Sequence, residues 1–205
     1  SKNKLKRFRE NDSFSNVIQP TREEVLEGFS KKGKWQTFFN NNNPIVLELG
    51  CGKGEYTIAL ARKNPKINYI GIDLKGARFW RGAKTALEEN LTNVAFIRTQ
   101  IELIDLLFAE NEVTEIWITF PDPQIKYTRT KHRLTNAEFL KKYYQVLIPE
   151  GIVNLKTDSE FMHGYTLGLL HGAGHEVIYA HHDIYKNAHS PKEVTTTQTF
   201  YESQY

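Results

Sequence analysis

The segment Ile45-Val-Leu-Glu-Leu-Gly-Cys-Gly-Lys-Gly54 carries the strongest signal of the fold. It begins as an apolar run, typical of a buried strand, and ends in a glycine-rich turn, after which a helix-like pattern starts at Glu55. Glycine lets the backbone turn tightly and lets a ligand approach main-chain amide groups. A dinucleotide-binding loop would read G-x-G-x-x-G/A, but the sixth residue counted from Gly50 is Glu55, whose charge opposes a pyrophosphate at the helix N-terminus. The stretch therefore predicts a strand, a ligand-binding turn and a helix, and it disfavours a dinucleotide.

Outward from this stretch, short apolar runs alternate with helix-like segments. Strands are predicted at Ile45–Leu49, Asn68–Ile72, Val94–Arg98, Glu115–Thr119, Gly151–Lys156, Glu176–Ala180 and Thr197–Tyr201. Helices are predicted at Glu55–Lys63, Lys75–Glu89, Ile101–Phe108, Thr135–Leu147 (opened by the capping box Thr135-Asn-Ala-Glu138) and Phe161–Leu170. Alternation at this spacing indicates right-handed βαβ units. The predicted fold is α/β and doubly wound, with a mostly parallel seven-stranded sheet and helices on both faces.

The chain has 205 residues, which suits one compact domain. Within it, residues 1–43 are predicted to form a basic N-terminal extension with one helix, and residues 44–205 the α/β domain. Thr21-Arg-Glu-Glu24 reads as the capping box of that N-terminal helix, whose Val25, Leu26 and Phe29 share one face.

Composition excludes several classes of protein. The single cysteine, Cys51, rules out an intramolecular disulfide and a cysteine-rich zinc site, and its place in the glycine turn calls only for a small residue. No apolar run approaches the roughly 18 residues of a membrane span, so a cytoplasmic protein without membrane contact is expected. His181 and His182 precede Asp183, but adjacent histidines in a strand point to opposite faces, so no metal site is predicted.

The net charge is only +3, but basic residues are clustered. One cluster lies within the first nine residues, a second includes Lys31, Lys32 and Lys34, and a third follows Asp122. A single basic cluster is usually solvated surface. Three clusters that could converge on one face favour a polyanionic partner.

Polar residues follow several predicted strands, and in a parallel sheet the strand ends meet at one edge, where ligands bind. That edge would collect Glu48–Gly54, Asp73, Gln100, Phe120–Lys126 and Lys156–Asp158. Asp73 could accept hydrogen bonds from two ribose hydroxyls, while Gly50 and Gly52 leave space for an uncharged linker. A nucleoside without phosphates fits this arrangement better than NAD.

This combination resembles the seven-stranded S-adenosylmethionine (SAM) methyltransferase fold. Further motifs are similar to those of the bacterial tRNA (guanine-N7-)-methyltransferase family, from about Pro44 to the C-terminus. They are Phe120-Pro-Asp-Pro-x-x-Lys126 with the basic residues after it, Arg133-Leu-Thr135, Lys156-Thr-Asp158 and Thr199-Phe-Tyr-Glu202. The chain departs from the usual Asp-Pro-Trp-Pro-Lys motif at Gln124 and Ile125, Tyr127 and Thr128 stand where basic residues are common, and Gln100 replaces a usual Asp.

The resemblance implies SAM as cofactor and tRNA as partner, with no obligatory protein partner and a monomer or homodimer. The cofactor would be bound by Glu48, Gly50, Gly52, Asp73, Gln100 and Asp122, and Asp122 would also be catalytic. The substrate would be held by Lys126, Asp158, Thr199, Phe200, Tyr201 and Glu202, with RNA contacts from Arg129, Lys131 and Arg133. The Gln100 carbonyl can still accept from the adenine amino group.

The residues themselves explain why a carboxylate, Asp122, begins a basic loop. Guanine N7 carries a lone pair and no proton, so its methylation needs alignment rather than a general base. A fixed carboxylate would stabilise the cationic purine that forms and could accept from N1–H and the exocyclic amine. Lys126 and the arginines would then face phosphates.

Guanine N7 lies in the deep major groove of A-form RNA, so the target base is expected to be unpaired, flipped or in a loop. Tyr127, Phe120 and Tyr201 are candidate stacking partners, the alternative for each being packing within the core or a loop, which is the interpretation favoured for Phe120. Two alternatives remain: a methyltransferase of the same fold acting on a small molecule or protein, and a non-catalytic RNA-binding protein on this fold.

Overall fold

The computed structural model describes residues 2–181 of the chain. Its strands are β1 (Val17–Ile18), β2 (Ile45–Leu49), β3 (Asn68–Asp73), β4 (Val94–Arg98), β5 (Val113–Thr119) and β6 (Leu147–Lys156). Its α-helices are α1 (Lys2–Ser13), α2 (Arg22–Gly28), α3 (Trp35–Phe39), α4 (Glu55–Lys63), α5 (Gly76–Glu88), α6 (Ile104–Leu107), α7 (Ala137–Val146) and α8 (Glu160–Gly172). Short 3-10 helices cover Ile101–Leu103 and Tyr127–His132.

The strands form one sheet in the order β1-β4-β3-β2-β5-β6, and every pairing in it is parallel. All five residues of β2 are buried at its centre, between β3 and β5. After β4 the chain crosses to the other side of β2, which makes the β2–β5 boundary the point where the strand order reverses. Ligands bind beyond the strand ends at such a point.

Helices cover both faces of the sheet, as predicted. One buried cluster brings α2, α3, α6 and α7 against the sheet through residues such as Val25, Trp35 and Tyr143. The other brings α4 and α5 against it, through residues such as Tyr56 and Phe79. Both faces are therefore covered by apolar side chains, which explains the apolar character of the central strands.

The sheet has six strands within residues 2–181, against seven predicted. Residues 176–180 form no strand, and the prediction at Thr197–Tyr201 lies outside the described residues. Strand β1, a two-residue strand that pairs with β4 through Val17 and Phe96, was not predicted from the sequence. Residues before Pro44 thus extend the sheet at one edge, as well as supplying helices.

Helix capping was predicted correctly at one helix and displaced by one residue at another. Thr21 caps α2 in a full capping box with Glu24, but Leu26 on that helix is exposed rather than packed. At α7 the cap is Asn136, which accepts from the backbone N–H of Phe139. Thr135, the predicted cap, shares a buried hydrogen bond with a threonine of α8 instead.

Within the described part of the chain, none of the helices combines the length and apolar composition needed to cross a membrane.

Candidate functional site

The glycine turn after β2 leaves open space beside its main chain. Gly50 and Gly52 have φ angles of 72° and 56°, in the left-handed region that glycine enters without strain. A Cβ atom added to Gly52 would meet nothing within 4 Å, whereas one added to Gly54 would lie 2.7 Å from Phe96. The first two glycines therefore let a ligand approach the backbone, and the third allows α4 to pack against the sheet.

Asp73, the last residue of β3, is fixed next to this turn. Its carboxylate accepts hydrogen bonds from the backbone N–H of Gly52 at 3.0 Å and of Lys75 at 2.8 Å. A carboxylate offers about four lone-pair positions, so these two bonds leave acceptor capacity for hydroxyl donors. Asp73 lies in the wall of a cavity of about 230 Å³, whose lining residues are Gly50, Asp73, Leu74, Thr99, Gln100, Ile101, Glu102 and Leu134.

Gln100 also lines this cavity, and its carbonyl already has a partner. The guanidinium of Arg22, the first residue of α2, donates to the Gln100 side-chain oxygen. One lone pair of that oxygen remains for a ligand, and its amide group supplies two donors. No sequence pattern links these residues, which are separated by 78 positions.

Glu48 lies below the turn, and it is not among the residues that line the cavity. Its side chain is only 4% exposed and accepts from the hydroxyls of Thr57 on α4 and of Thr119 at the end of β5, the latter at 2.7 Å. Burial raises the pKa of Glu48 from 4.5 to about 7, against the lowering effect of the two hydroxyls, and the charge of Asp73 raises it further. Glu48, which was predicted to bind the cofactor, therefore connects β2 to α4 and to the end of β5 through buried hydrogen bonds.

The segment after β5 holds Asp122 on a strained backbone. Phe120 and Gln124 have φ angles of 48° and 47°, which are uncommon for residues other than glycine and cost on the order of 1–3 kcal/mol each. The N–H of Phe120 donates to the carbonyl of Lys156 at 2.7 Å, which ties the segment to β6. Asp122 is exposed, and one of its oxygens accepts from the N–H of Gln124 at 3.0 Å. The other oxygen is not used in that turn.

Three basic residues of this loop that were predicted to contact the substrate or the RNA have exposed side chains. Lys126 precedes the 3-10 helix Tyr127–His132, and Arg129 and Lys131 lie on it. Tyr127 is 88% exposed, which suits a side chain that stacks on a base.

Arg133 differs from the prediction that it contacts RNA. It is only 5% exposed, and its guanidinium donates to the carbonyls of Gln124 at 3.1 Å and Ile125 at 3.2 Å. The same group lies 4.8 Å from the ring centre of Phe161 and 4.5 Å from that of Tyr165 on α8. Arg133 therefore shapes the loop from inside, because its donors and its planar face are both engaged by the protein.

Lys156, at the end of β6, is a buried cation beside the loop. It is 6% exposed, and its ammonium group lies 5.5 Å from the ring centre of Tyr56 and 5.8 Å from that of Phe120. Phe120 thus packs within the protein, as one of the two interpretations held. Asp158 is exposed just before Ser159, the cap of α8.

The remaining predictions concern residues outside the described range, a metal site and the reactivity of Cys51. Thr199, Phe200, Tyr201, Glu202, His182 and Asp183 all lie beyond residue 181. Residues 2–181 contain no group of three histidine, cysteine or acidic side chains placed to hold a metal ion. Burial raises the pKa of the Cys51 thiol well above its usual value, which makes a reactive thiolate unfavourable.

The parallel sheet with this strand order, the glycine turn after its central strand and the acid at the end of the next strand agree with the SAM-dependent methyltransferase class that the sequence motifs resemble. A family model described as "Putative methyltransferase" matches residues 42–205. The solved structure of a 30S ribosomal A1408 methyltransferase from an uncultured bacterium shares the fold, with a TM-score of 0.50 and 19% identity, over 78% of this chain and 74% of that one.

Curated relatives narrow the family. The tRNA (guanine-N(7)-)-methyltransferase of Christiangramia forsetii is 75% identical over 207 residues, which cover 100% of this chain and 92% of that protein. The protein of the same name from Porphyromonas gingivalis is 51% identical, over 95% of this chain and 80% of its own length. The chain belongs to the tRNA (guanine-N(7)-)-methyltransferase family.

Proposed function

We propose that this protein transfers the methyl group of SAM to N7 of a guanine in tRNA. The observation that carries the proposal is the 75% identity, over the full chain, to a relative named for that reaction. The glycine turn, Asp73 and the loop of Asp122 follow β2, β3 and β5, so all three belong to the same edge of the sheet. Because tRNA is a cytoplasmic molecule, we place the enzyme in the cytoplasm. We also propose that it acts as a monomer or homodimer.

The cavity beside Asp73 suits the nucleoside part of SAM. The open space beside Gly50 and Gly52 lets the cofactor lie against the main chain, and Asp73 has acceptor capacity for ribose hydroxyls. Gln100 would hold the adenine edge through its amide group, oriented by Arg22. SAM supplies a methyl group on a sulfonium sulfur, which is activated for attack by a nucleophile.

Asp122 is the residue we assign to the guanine. Guanine N7 has no proton to lose, so the protein's task is to align the base and to stabilise the positive charge that develops on the purine. An exposed carboxylate on a strained, fixed turn can accept from guanine N1–H and the amino group and oppose that charge. The strain is consistent with a side chain held where function requires it.

Residues around Asp122 would bind two different parts of the RNA, the target base and the phosphate backbone. Lys126, Arg129 and Lys131 are exposed cations and would bind phosphates, with Tyr127 available to stack on an unpaired base. Asp158 and the segment from Thr199 to Glu202 would complete the substrate site by analogy with the family.

The test is to incubate the protein with labelled SAM and bulk unmodified tRNA and to identify the modified nucleoside. We expect 7-methylguanosine at one tRNA position. Asp122→Asn should lower the single-turnover rate by about 10²–10³-fold, as expected for loss of one electrostatic partner, with SAM affinity much less affected. Wild-type rates in this variant would show that Asp122 only shapes the loop, and a different methylated product would refute the proposed reaction.

A further inference from the structure

A cluster of cations surrounds Trp80 on α5, outside the cavity described above. The charged groups of Arg7, Arg81 and Lys84 lie 4.8, 5.5 and 5.2 Å from the centre of the Trp80 ring. The indole N–H donates to Glu10, which fixes the ring in place. Cations held against an aromatic face are more ordered than freely solvated lysines and arginines, so they lose less entropy when they bind an anion.

The charges here are poorly balanced by acids. Helix α1 carries five basic and two acidic residues, and α5 carries three basic and one, so the pair has a larger positive excess than the whole chain's +3. Arg81 is paired with Glu88. Among residues 2–181, no carboxylate forms an ion pair within 4.0 Å with Arg7 or Lys84. The outer face of α1 adds exposed Lys6 and Arg9, along an open groove of about 470 Å³ on that single helix.

Contacts connect this surface to the cofactor cavity. Asn11 of α1 donates to the carbonyl of Gly76, the first residue of α5, at 3.0 Å. Arg98 at the end of β4 lies 4.9 Å from the ring centre of Phe8 and donates to the carbonyl of Leu74, which lines the cavity. The basic surface therefore starts at the edge of the sheet where the substrate site lies and runs along α1 and α5.

The ammonium group of Lys4 lies 5.9 Å from the ring centre of Phe8, the ring that Arg98 also contacts. We infer that the surface formed by Lys4, Arg7, Lys84 and Arg98 is a second phosphate-binding surface, which holds the tRNA backbone away from the target nucleotide. The inference rests on the proposed function, since it takes tRNA to be the polyanion. A folded RNA that places one base in the site must pass over neighbouring parts of the protein. This surface is contiguous with the site and opposite in charge to the RNA.

The experiment compares two double variants in tRNA binding over a salt series. Arg7→Gln with Lys84→Gln removes two charges from the surface. Lys63→Gln with Lys66→Gln removes two exposed charges near the start of β3, at the opposite edge of the sheet. Each lost phosphate contact flattens the log–log salt dependence by about 0.7–0.9, so the first variant should lose about 1.5 in slope and bind roughly 10- to 30-fold more weakly at about 0.1 M salt. The second should match the wild type.

Further measurements separate this inference from folding defects and from the reaction itself. Arg7→Lys with Lys84→Arg keeps both charges, so its slope should equal that of the wild type if charge rather than side-chain shape matters. SAM affinity should be unchanged in all variants. If the surface variant has the same slope and affinity as the wild type, the inference is wrong and the cluster is ordinary surface or serves an acidic protein. Failure of the proposed reaction would appear instead as absence of 7-methylguanosine with wild-type protein, whatever its RNA affinity.

Discussion

The buried carboxyl of Glu48 should make the stability of this protein depend on pH in a way that one substitution removes. In the native protein its pKa is raised from 4.5 to about 7, chiefly by burial. Below about pH 4.5 the carboxyl is protonated in both the native and the unfolded chain. Between about 4.5 and 7 the unfolded chain loses this proton while the native protein keeps it, so the contribution of Glu48 to stability is lost as the pH rises through 7.

The magnitude follows from the same two values. A pKa difference of one between the native and unfolded states corresponds to about 1.4 kcal/mol. The rise in the pKa of Glu48 from 4.5 to about 7 therefore corresponds to about 3 kcal/mol of unfolding free energy. Glu48→Gln keeps the shape of the side chain but cannot ionise. Its amide can still exchange hydrogen bonds with the hydroxyls of Thr57 and Thr119, which both donate and accept.

Urea unfolding of both proteins, followed by circular dichroism at several pH values, measures this difference directly. Other titrating groups cancel when the two proteins are compared at each pH. We expect the stability of Glu48→Gln relative to wild type to rise by about 2–3 kcal/mol between pH 5 and pH 8. Thr119→Val removes a donor to the carboxylate and should move the transition to higher pH. A relative stability that stays constant across this range would refute the assignment of a buried Glu48 whose pKa is raised by burial.

Three other predictions concern the cofactor, a helix cap and the basic loop. Asp73→Asn should weaken SAM binding, measured by calorimetry, by about ten- to a hundredfold, or about 1.5–3 kcal/mol, because charge-assisted hydrogen bonds are lost. Unchanged affinity would show that Asp73 does not bind the cofactor. Asn136→Ala should lower the unfolding free energy by about 1 kcal/mol through loss of the cap of α7, while Thr135→Ser, which keeps the buried hydroxyl, should change it little; the reverse order would restore the cap predicted from sequence. Arg133→Gln should lower the unfolding free energy by about 1–3 kcal/mol, because it removes buried hydrogen bonds. Lys131→Gln should change the unfolding free energy by no more than about 0.5 kcal/mol, but it should flatten the salt dependence of tRNA binding by about 0.7–0.9 in log–log slope. Equal effects of the two variants on stability would contradict the different burial of these side chains.

Features that depend on residues close together in the chain were predictable from the sequence. Alternation of apolar runs and helical patterns predicts a parallel α/β sheet, because each segment's period reflects which of its faces is buried. The glycines after β2 predict a tight turn, because Gly50 and Gly52 adopt angles that other residues enter only with strain. Thr21 and Glu24 form a capping box from residues three positions apart, whereas the same pattern at Thr135 and Glu138 gives way to a cap at Asn136 because Thr135 bonds to a threonine of α8.

Features that depend on residues far apart in the chain became visible only in the folded structure. Burial in the packed sheet raises the pKa of Glu48, and the hydroxyl of Thr119, 71 positions away, partly opposes that rise. Arg133 belongs to a basic run, yet its surroundings on α8 bury it, while the adjacent run remains exposed. Arg7 and Glu10 reach Trp80 only because α1, some 70 positions earlier in the chain, packs along α5. Burial and charge depend on which groups the folded chain brings together, and a local pattern of residues does not contain that information.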